Sequence, residues 1–539
     1  MIDETTMTPK STYATRGMMV APHALAAQSG LAVLREGGDA LEAMVAAAAT
    51  ISVVYPHMNG IGGDSFWLIH EPGRDVITID ACGRAAARAS VDYYRGQNLH
   101  AIPSRGPLAA NTVAGTVSGW NMAMDYAKQH WGSRLPLSRL LDDAIAYAEQ
   151  GIVVTQSQTH CTATKLAELA GVPGFSERFL VDGKAPAFGS VLKQARIAAT
   201  LRQLVKNGLN DFYDGELARS IAGDLAAVGS PLALADLEGH AAELRPPVAL
   251  KHKLGMLYNM APPTQGTISL MILGILDRLA LGKVAADSAD HVHLAVEATK
   301  QAFMVRDRCI TDPAFMTVDP EYLLSDKALR AQAESIHRKR ALQWGTPSQR
   351  GDTIWMGAID GAGRAVSMIQ SIYHEFGSGI VLKNSGINWQ NRGCSFSLDE
   401  HALNQLKPRR KPFHTLNPAL ARLNDGRVIV YGTMGGDGQP QTQSAVFTRY
   451  AVFGQGMQQA ISAPRWLLGR TWGQASDTLK LESRFDPALI AELKHRGHDV
   501  EVLQAYDETM GHAGGIAQHA DGTLEAGFDP RSDGAAAGF

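Results

Sequence analysis

One stretch of this chain constrains its fold more than any other. From Gly345 to Asp352 it reads GTPSQRGD, polar and rich in turn formers, and it opens onto Thr353–Ile359, a mostly apolar run. Asp360-Gly-Ala-Gly363 supplies turn chemistry, and Arg364–Ser371 returns as a second run. Two such runs about a short Gly-bearing turn predict a β-hairpin. A mostly apolar strand needs cover on both faces, which places the hairpin inside a layered structure. A second hairpin is predicted over Pro418–Tyr431, turning at Asn424-Asp425-Gly426.

The rest of the chain supplies the cover. Ala24–Leu34 and Ala40–Val54 read as buried or half-buried helices, with Gly37-Gly38-Asp39 as stop and cap between them. Segments 119–130, 136–150, 191–206 and 286–305 carry amphipathic helical spacing. Phe66–Ile69 and Val76–Ile79 read as short strands. At 539 residues and 45% hydrophobic composition the chain can bury a large core. Fifty basic against 53 acidic residues give a net charge of -3, which argues against nucleic acid as the main partner. Four scattered cysteines, Cys82, Cys161, Cys309 and Cys394, form no CxxC pair and point away from a zinc site or disulfide framework. The first ten residues lack a signal-type apolar stretch, and no apolar run reaches membrane-spanning length, so the expected location is the cytoplasm, with no membrane partner.

Common catalytic signatures are missing: there is no GxxxxGK[ST], HExxH or GxSxG. Gly60-Ile-Gly-Gly63-Asp64 lacks full dinucleotide-loop spacing. His291, His293 and Glu297 are better read as helix-surface or satisfied core groups than as metal ligands. The junction Asp352-Thr353 carries more. Attack by the Thr353 hydroxyl on the Asp352 carbonyl, an N-to-O acyl shift and hydrolysis would release the upstream chain and leave Thr353 with a free α-amine. Such an amine titrates near pH 7.7–8.0 and is a recognised base for its own hydroxyl. Taken alone, a threonine opening a strand is ordinary, because β-branched residues favour strands. If the chain turns at 360–363, Ile359 faces Arg364, and counting outward sets Thr353 beside the polar pair Gln370 and Ser371. Gly432-Thr-Met-Gly435-Gly436-Asp-Gly438 follows a predicted strand and precedes a predicted helix from about Thr442. Such a loop can offer backbone N–H groups to a developing oxyanion.

Together these segments resemble the γ-glutamyltranspeptidase family over nearly the whole chain. The resemblance is carried by Gly17–His23, Gly37–Ala40, Pro56–Gly63, Ala114–Trp120, Pro262–Gly266, the Asp352-Thr353 junction, Gly435-Gly436 and Asp529–Gly538. It implies a four-layer αββα sandwich of the N-terminal-nucleophile hydrolase type, an α+β fold. It further implies a cleavage into a large subunit, 1–352, and a small subunit, 353–539, held as one heterodimer and compatible with a dimer of heterodimers. Thr353 would be the nucleophile, with Ser371 beside it and Gly435 and Gly436 forming the oxyanion hole. No cofactor or metal is implied. The substrate pocket departs from the family pattern. Tyr373 stands where an Asn is usual, Arg392 and Ser395 where a Gln and an Asp bind the amino-acid head, and His414-Thr415 where a Ser pair meets the α-carboxylate. Arg84 stands in for a carboxylate-binding Arg of the large subunit, and Phe396–Pro412 is shorter than the lid-bearing segment. The pocket thus loses an acid and gains an arginine suited to a carboxylate.

Within the family the chain resembles the cytoplasmic, oxamate-hydrolysing branch, through Asp352–Met356, Ser371–Gly377 and Trp389–Phe396. The expected function is hydrolysis of an amide of a small anionic acyl group such as oxamate. The alternatives are a γ-glutamyl or glutathione hydrolase or transferase, a glutaryl-type acylase, and a non-catalytic binding protein of the same fold.

Overall fold

The computed structural model describes residues 10–345, 352–469 and 477–539. The predicted hairpin forms from strands Asp352–Ile359 and Ala365–Tyr373 and lies inside a seven-stranded sheet. Its order is Ala535–Gly538, Met18–Ala21, Asp352–Ile359, Ala365–Tyr373, Asp64–His70, Ile77–Ala81, Glu243–Arg245, antiparallel throughout. The second hairpin, Ala419–Leu423 with Val428–Thr433, sits inside a second seven-stranded antiparallel sheet completed by Thr12–Ala14, Leu524–Phe528, Ala513–Gln518, Gly255–Asn259 and Val248–His252.

Alternation along Asp352–Ile359 explains the layering. Trp355 and Ile359 point between the sheets, where they meet Ile369, Phe66, Leu420, Val430 and Ile516. Ile354, Met356 and Ala358 point the other way, into a core built with helices Ala24–Arg35, Ala40–Val54 and Thr116–His130. A third core covers the far face of the second sheet with helices Gly266–Arg278, Ala289–Cys309 and Gln439–Phe447. The order helix, sheet, sheet, helix is the expected αββα sandwich. Between the sheets the Trp355 indole replaces side chains on its neighbours: a Cβ on Gly432 would lie 2.2 Å from it and one on Gly514 2.4 Å.

Local signals account for much of this. Asp39 caps Ala40–Val54 through a reciprocal box with Glu42. The turn after Ile359 is closed by Asp360, whose N–H donates to the Arg364 carbonyl and whose carboxylate accepts from the N–H groups of Ala362 and Arg364. Gly363 takes φ +75°. This pairs Asp360 with Arg364, so Ile359 lies opposite Ala365 rather than Arg364, a register shift of one from the sequence expectation. Helix Ala289–Cys309 buries His291, His293 and Glu297 completely, so these are core groups and not a helix surface.

The buried imidazoles set an acid limit on stability. Burial pushes His57 and His498 down to about 3, and His23, His240 and His512 to about 4. Below pH 6.5 the unfolded chain takes up these protons while the folded chain does not, so stability is lost as pH falls from 6.5 towards 4. Burial pushes Asp64 and Glu508 up to about 7, which works in the opposite sense over the same range. Burial lowers His70, His252 and His291 in the same way, so the lowered imidazoles outnumber the raised carboxyls and unfolding near pH 5.5 should take up several protons net. The expected result is a Tm that falls steeply between pH 6.5 and 5. A Tm that holds or rises on acidification would contradict it.

Candidate functional site

Thr353 is the second residue of its strand and is fully buried. The hairpin register breaks there: Ile354 pairs with Gln370, but Asp352 pairs with Tyr373. Thr353 therefore sits in a β-bulge against Ser371 and Ile372. Bulges re-aim side chains and recur beside active sites. The one-residue register shift also separates the polar pair expected beside Thr353. Gln370 turns to the helical layer, where it accepts from Trp120 Nε1 at 3.0 Å and donates to Asn59 Oδ1 at 2.6 Å. Ser371 remains at the bulge, and its Oγ accepts from the Tyr373 N–H at 2.8 Å. Tyr373 adopts φ +80°, a conformation costly for a bulky residue and characteristic of functional sites.

The Gly60–Gly63 loop is the platform for this turn. A Cβ on Gly63 would lie 2.0 Å from the Ser371 carbonyl oxygen, and one on Gly62 2.2 Å from that of Asn388. Backbone fills the space a dinucleotide would need. Asp64 follows directly and pairs across the sheet with Ser371. Both continue the row of Phe66 and Ile369, so both face the space between the sheets.

Arg392, 1% exposed, lies with its guanidinium 3.5 Å from the centre of the Tyr373 ring. It donates to the Phe413 carbonyl at 3.4 Å and to Thr415 Oγ1 at 3.2 Å. Ser395 Oγ donates to the same Phe413 carbonyl at 3.3 Å. His414 Nε2 lies 3.0 Å from Asp64 Oδ2, and burial pushes the imidazole well below its usual range. Tyr373, Arg392, Ser395, His414 and Thr415 thus converge beside the hairpin end. Arg84 does not join them. Its side chain is exposed and 3.6 Å from Glu243, and it donates to the Arg409 carbonyl. An exposed cation is held by the nearest surface anion, which corrects its expected place in the pocket.

The glycine loop closes the site from the second sheet. Gly435 and Gly436 take φ +121° and +52°, followed by a 3-10 turn and helix Gln439–Phe447, which starts three residues earlier than expected. Gln265 Nε2 donates to the Gly436 carbonyl at 2.8 Å and the Thr415 carbonyl at 3.0 Å, tying the loop to the Arg392 pocket. Arg306 braces Asp437 at 3.2 Å. An open cleft of about 570 Å³ leads in, with Tyr373, Ser395, Phe413 and Asp437 on one side and Leu398, Ala402 and Asn404 on another. The Phe396–Pro412 segment contributes that second set of lining residues and is pinned by Arg410 to Thr311, Leu403 and Gln405.

Two groups of buried donors have metal-like spacing, with ligand atoms within 4.8 Å: Asp64, Cys82, His414 and His293, Glu297, His498. Hydrogen bonds already engage them. Asp64 accepts from Gly83 N–H and Gly115 N–H at 3.0 Å each. His293 spends its ring nitrogens on His498 and the His337 carbonyl, and Glu297 binds Lys300 and the Leu342 N–H.

A buried threonine opens the central strand, and a convergent cation pocket lies beside the same hairpin end. The sequence matches the Gamma-glutamyltranspeptidase family over residues 26–539. The chain belongs to the γ-glutamyltranspeptidase family. It is similar to an oxamate amidohydrolase proenzyme of Klebsiella pneumoniae subsp. pneumoniae, 59% identical over 98% of this chain and 99% of that protein. It is also similar to a glutathione hydrolase-like YwrD proenzyme of Bacillus subtilis, 40% identical over 98% and 100%. Among solved structures, a cephalosporin acylase from Bacillus halodurans superposes with a TM-score of 0.90 at 31% identity, covering 100% of this chain and 99% of that one. For this member of the γ-glutamyltranspeptidase family, sequence reasoning missed Asp64, Gln265 and the Arg306–Asp437 brace. Asp64 and Gln265 lie inside motifs it singled out, GIGGD and PPTQG, which was the available signal.

Proposed function

We propose that this chain is an autoprocessing threonine-nucleophile amidohydrolase that hydrolyses an amide of a small anionic acyl group such as oxamate. The observation that carries the substrate class is Arg392. It is a fully buried guanidinium with no carboxylate within ion-pair distance among the described residues, and its Nε has no hydrogen-bond partner there. A buried charge with no counter-ion in direct contact is only partly compensated, and a planar carboxylate is the ligand that fits the guanidinium fork. The name of the Klebsiella relative supports the same reading.

In the proposed reaction, cleavage before Thr353 frees its α-amine. The amine takes the Oγ proton as Oγ attacks the amide carbon. Gly435 and Gly436 N–H groups receive the oxyanion. The leaving nitrogen takes the proton and departs, and water, deprotonated by the amine, hydrolyses the ester. A glutaryl-type acylase is a second reading, favoured by a cleft of about 570 Å³, more than ammonia needs as a leaving group. The test is fragment mass together with ammonia release from oxamate, run beside a glutaryl amide and a γ-glutamyl anilide. Two fragments separated between Asp352 and Thr353, with oxamate turnover, are expected. Turnover of the γ-glutamyl anilide alone would refute the anionic pocket, and an uncleaved chain would refute the mechanism.

A further inference from the structure

The sequence reading has the acyl pocket losing its acid, yet the structure places a buried carboxylate in it. Asp64 lies next to Ser371 in the sheet and has no exposed surface. A carboxylate offers about four acceptor positions. Here Oδ1 accepts from the Gly83 and Gly115 N–H groups and Oδ2 meets His414 Nε2. Both oxygens are engaged by buried partners, so Asp64 does not present a free carboxylate to a substrate ammonium. Its remaining effect is its charge, which acts on the likewise buried Arg392.

That charge poses a problem for an anionic substrate. An ionised Asp64 offsets Arg392, and a docked carboxylate would then put two anions beside one cation among buried groups, where screening is weak. His414 offers a way out. With Asp64 ionised, His414 Nε2–H donates to it. With Asp64 protonated, the carboxyl O–H donates to Nε2 and the imidazole carries its hydrogen on Nδ1. Both states keep the 3.0 Å contact and a neutral imidazole. His414 Nδ1 has no partner among the described residues, so neither tautomer breaks a bond there. We propose that Asp64 and His414 form a specificity pair, in which Asp64 gains one proton from solvent as a substrate carboxylate docks on Arg392, so that the pocket admits one anion with one proton. This rests on the anionic-substrate reading of the same site. The titratable and charged groups around Asp64 are His414, Arg392, Cys82, Tyr213 and, one step further, Lys411 and Asp80. Burial pushes Cys82 and Tyr213 well up, leaving both neutral, and pushes Asp64 up to about 7. A small further push from a bound anion is therefore enough to hold the proton near neutrality.

Oxalate, the acid product of oxamate hydrolysis, is the probe. Calorimetry on the processed protein at pH 8, in buffers of different ionisation enthalpy, should show close to one proton taken up per oxalate. Affinity should fall tenfold per pH unit above the Asp64 titration. In Asp64→Asn the uptake should vanish and affinity should stay level from pH 6.5 to 8.5. Uptake that persists in this variant would belong to the Thr353 amine and overturn the proposal. Should Asp64→Asn fail to fold, infrared difference spectra of wild-type protein labelled with 13C-aspartate decide the matter. A protonated-carboxyl band that grows with oxalate and shifts with the label is expected, and its absence overturns the proposal. Oxalate binding with no proton uptake sinks this inference alone, whereas failure of oxalate to bind sinks the anionic-substrate reading with it.

Discussion

Thr353→Ala should give a single full-length chain on a denaturing gel and no measurable release of ammonia from oxamate. The Thr353 oxygen is asked to do two jobs, attack on Asp352 and attack on substrate, and alanine removes it from both. Losing a covalent nucleophile costs on the order of 10⁶-fold in turnover, and in the uncleaved chain the α-amine that would act as base is also tied up in a peptide bond. The variant should still fold, because its strand is held by backbone pairing with Ala365–Tyr373 and Met18–Ala21, and removing one buried hydroxyl costs about 1 kcal/mol. Thr353→Ser is the control: it keeps the oxygen and should cleave, more slowly. Two fragments from Thr353→Ala, or amidase turnover in the uncleaved chain, would mean that another group does the chemistry.

The hairpin that carries Thr353 was readable because its turn is local. Asp360 and Gly363 satisfy their own backbone requirements within five residues. The helix that starts at Ala40 was readable for the same reason, since Asp39 and Glu42 cap it from within. Register was less so. A choice between Arg364 and Ala365 as the partner of Ile359 rests on one hydrogen bond, and a one-residue slip exchanges faces. This is why Gln370 was expected beside Thr353 and instead serves Trp120 and Asn59. Residues whose roles depend on distant partners were not readable. Asp64 meets His414 across 350 residues, and Gln265 meets Gly436 across 171. Arg84 failed in the opposite sense. Its charge fitted the pocket, but exposure and Glu243 decide where it goes.

Arg392→Ala provides the strongest test of what the pocket accepts. Truncating one member of a desolvated charge pair costs about 2–5 kcal/mol, so kcat/KM for oxamate should fall by about 30-fold to about 5,000-fold, mostly through KM. Cleavage at Thr353 should persist, because the Asp352 carbonyl is presented by the hairpin and not by Arg392. Arg392→Lys keeps the charge but not the fork that reaches Phe413 and Thr415 or the plane that lies on Tyr373, so it should recover only part of the loss. Stability separates a binding role from a structural one. A guanidinium that held the fold together would lower Tm when removed. A buried guanidinium with no carboxylate in direct contact is only partly compensated, so Arg392→Ala should hold or raise Tm in substrate-free protein while it loses oxamate. A lowered Tm with unchanged selectivity would make Arg392 a structural residue, and the acyl pocket would then have to be sought elsewhere along the cleft that Tyr373 and Ser395 line.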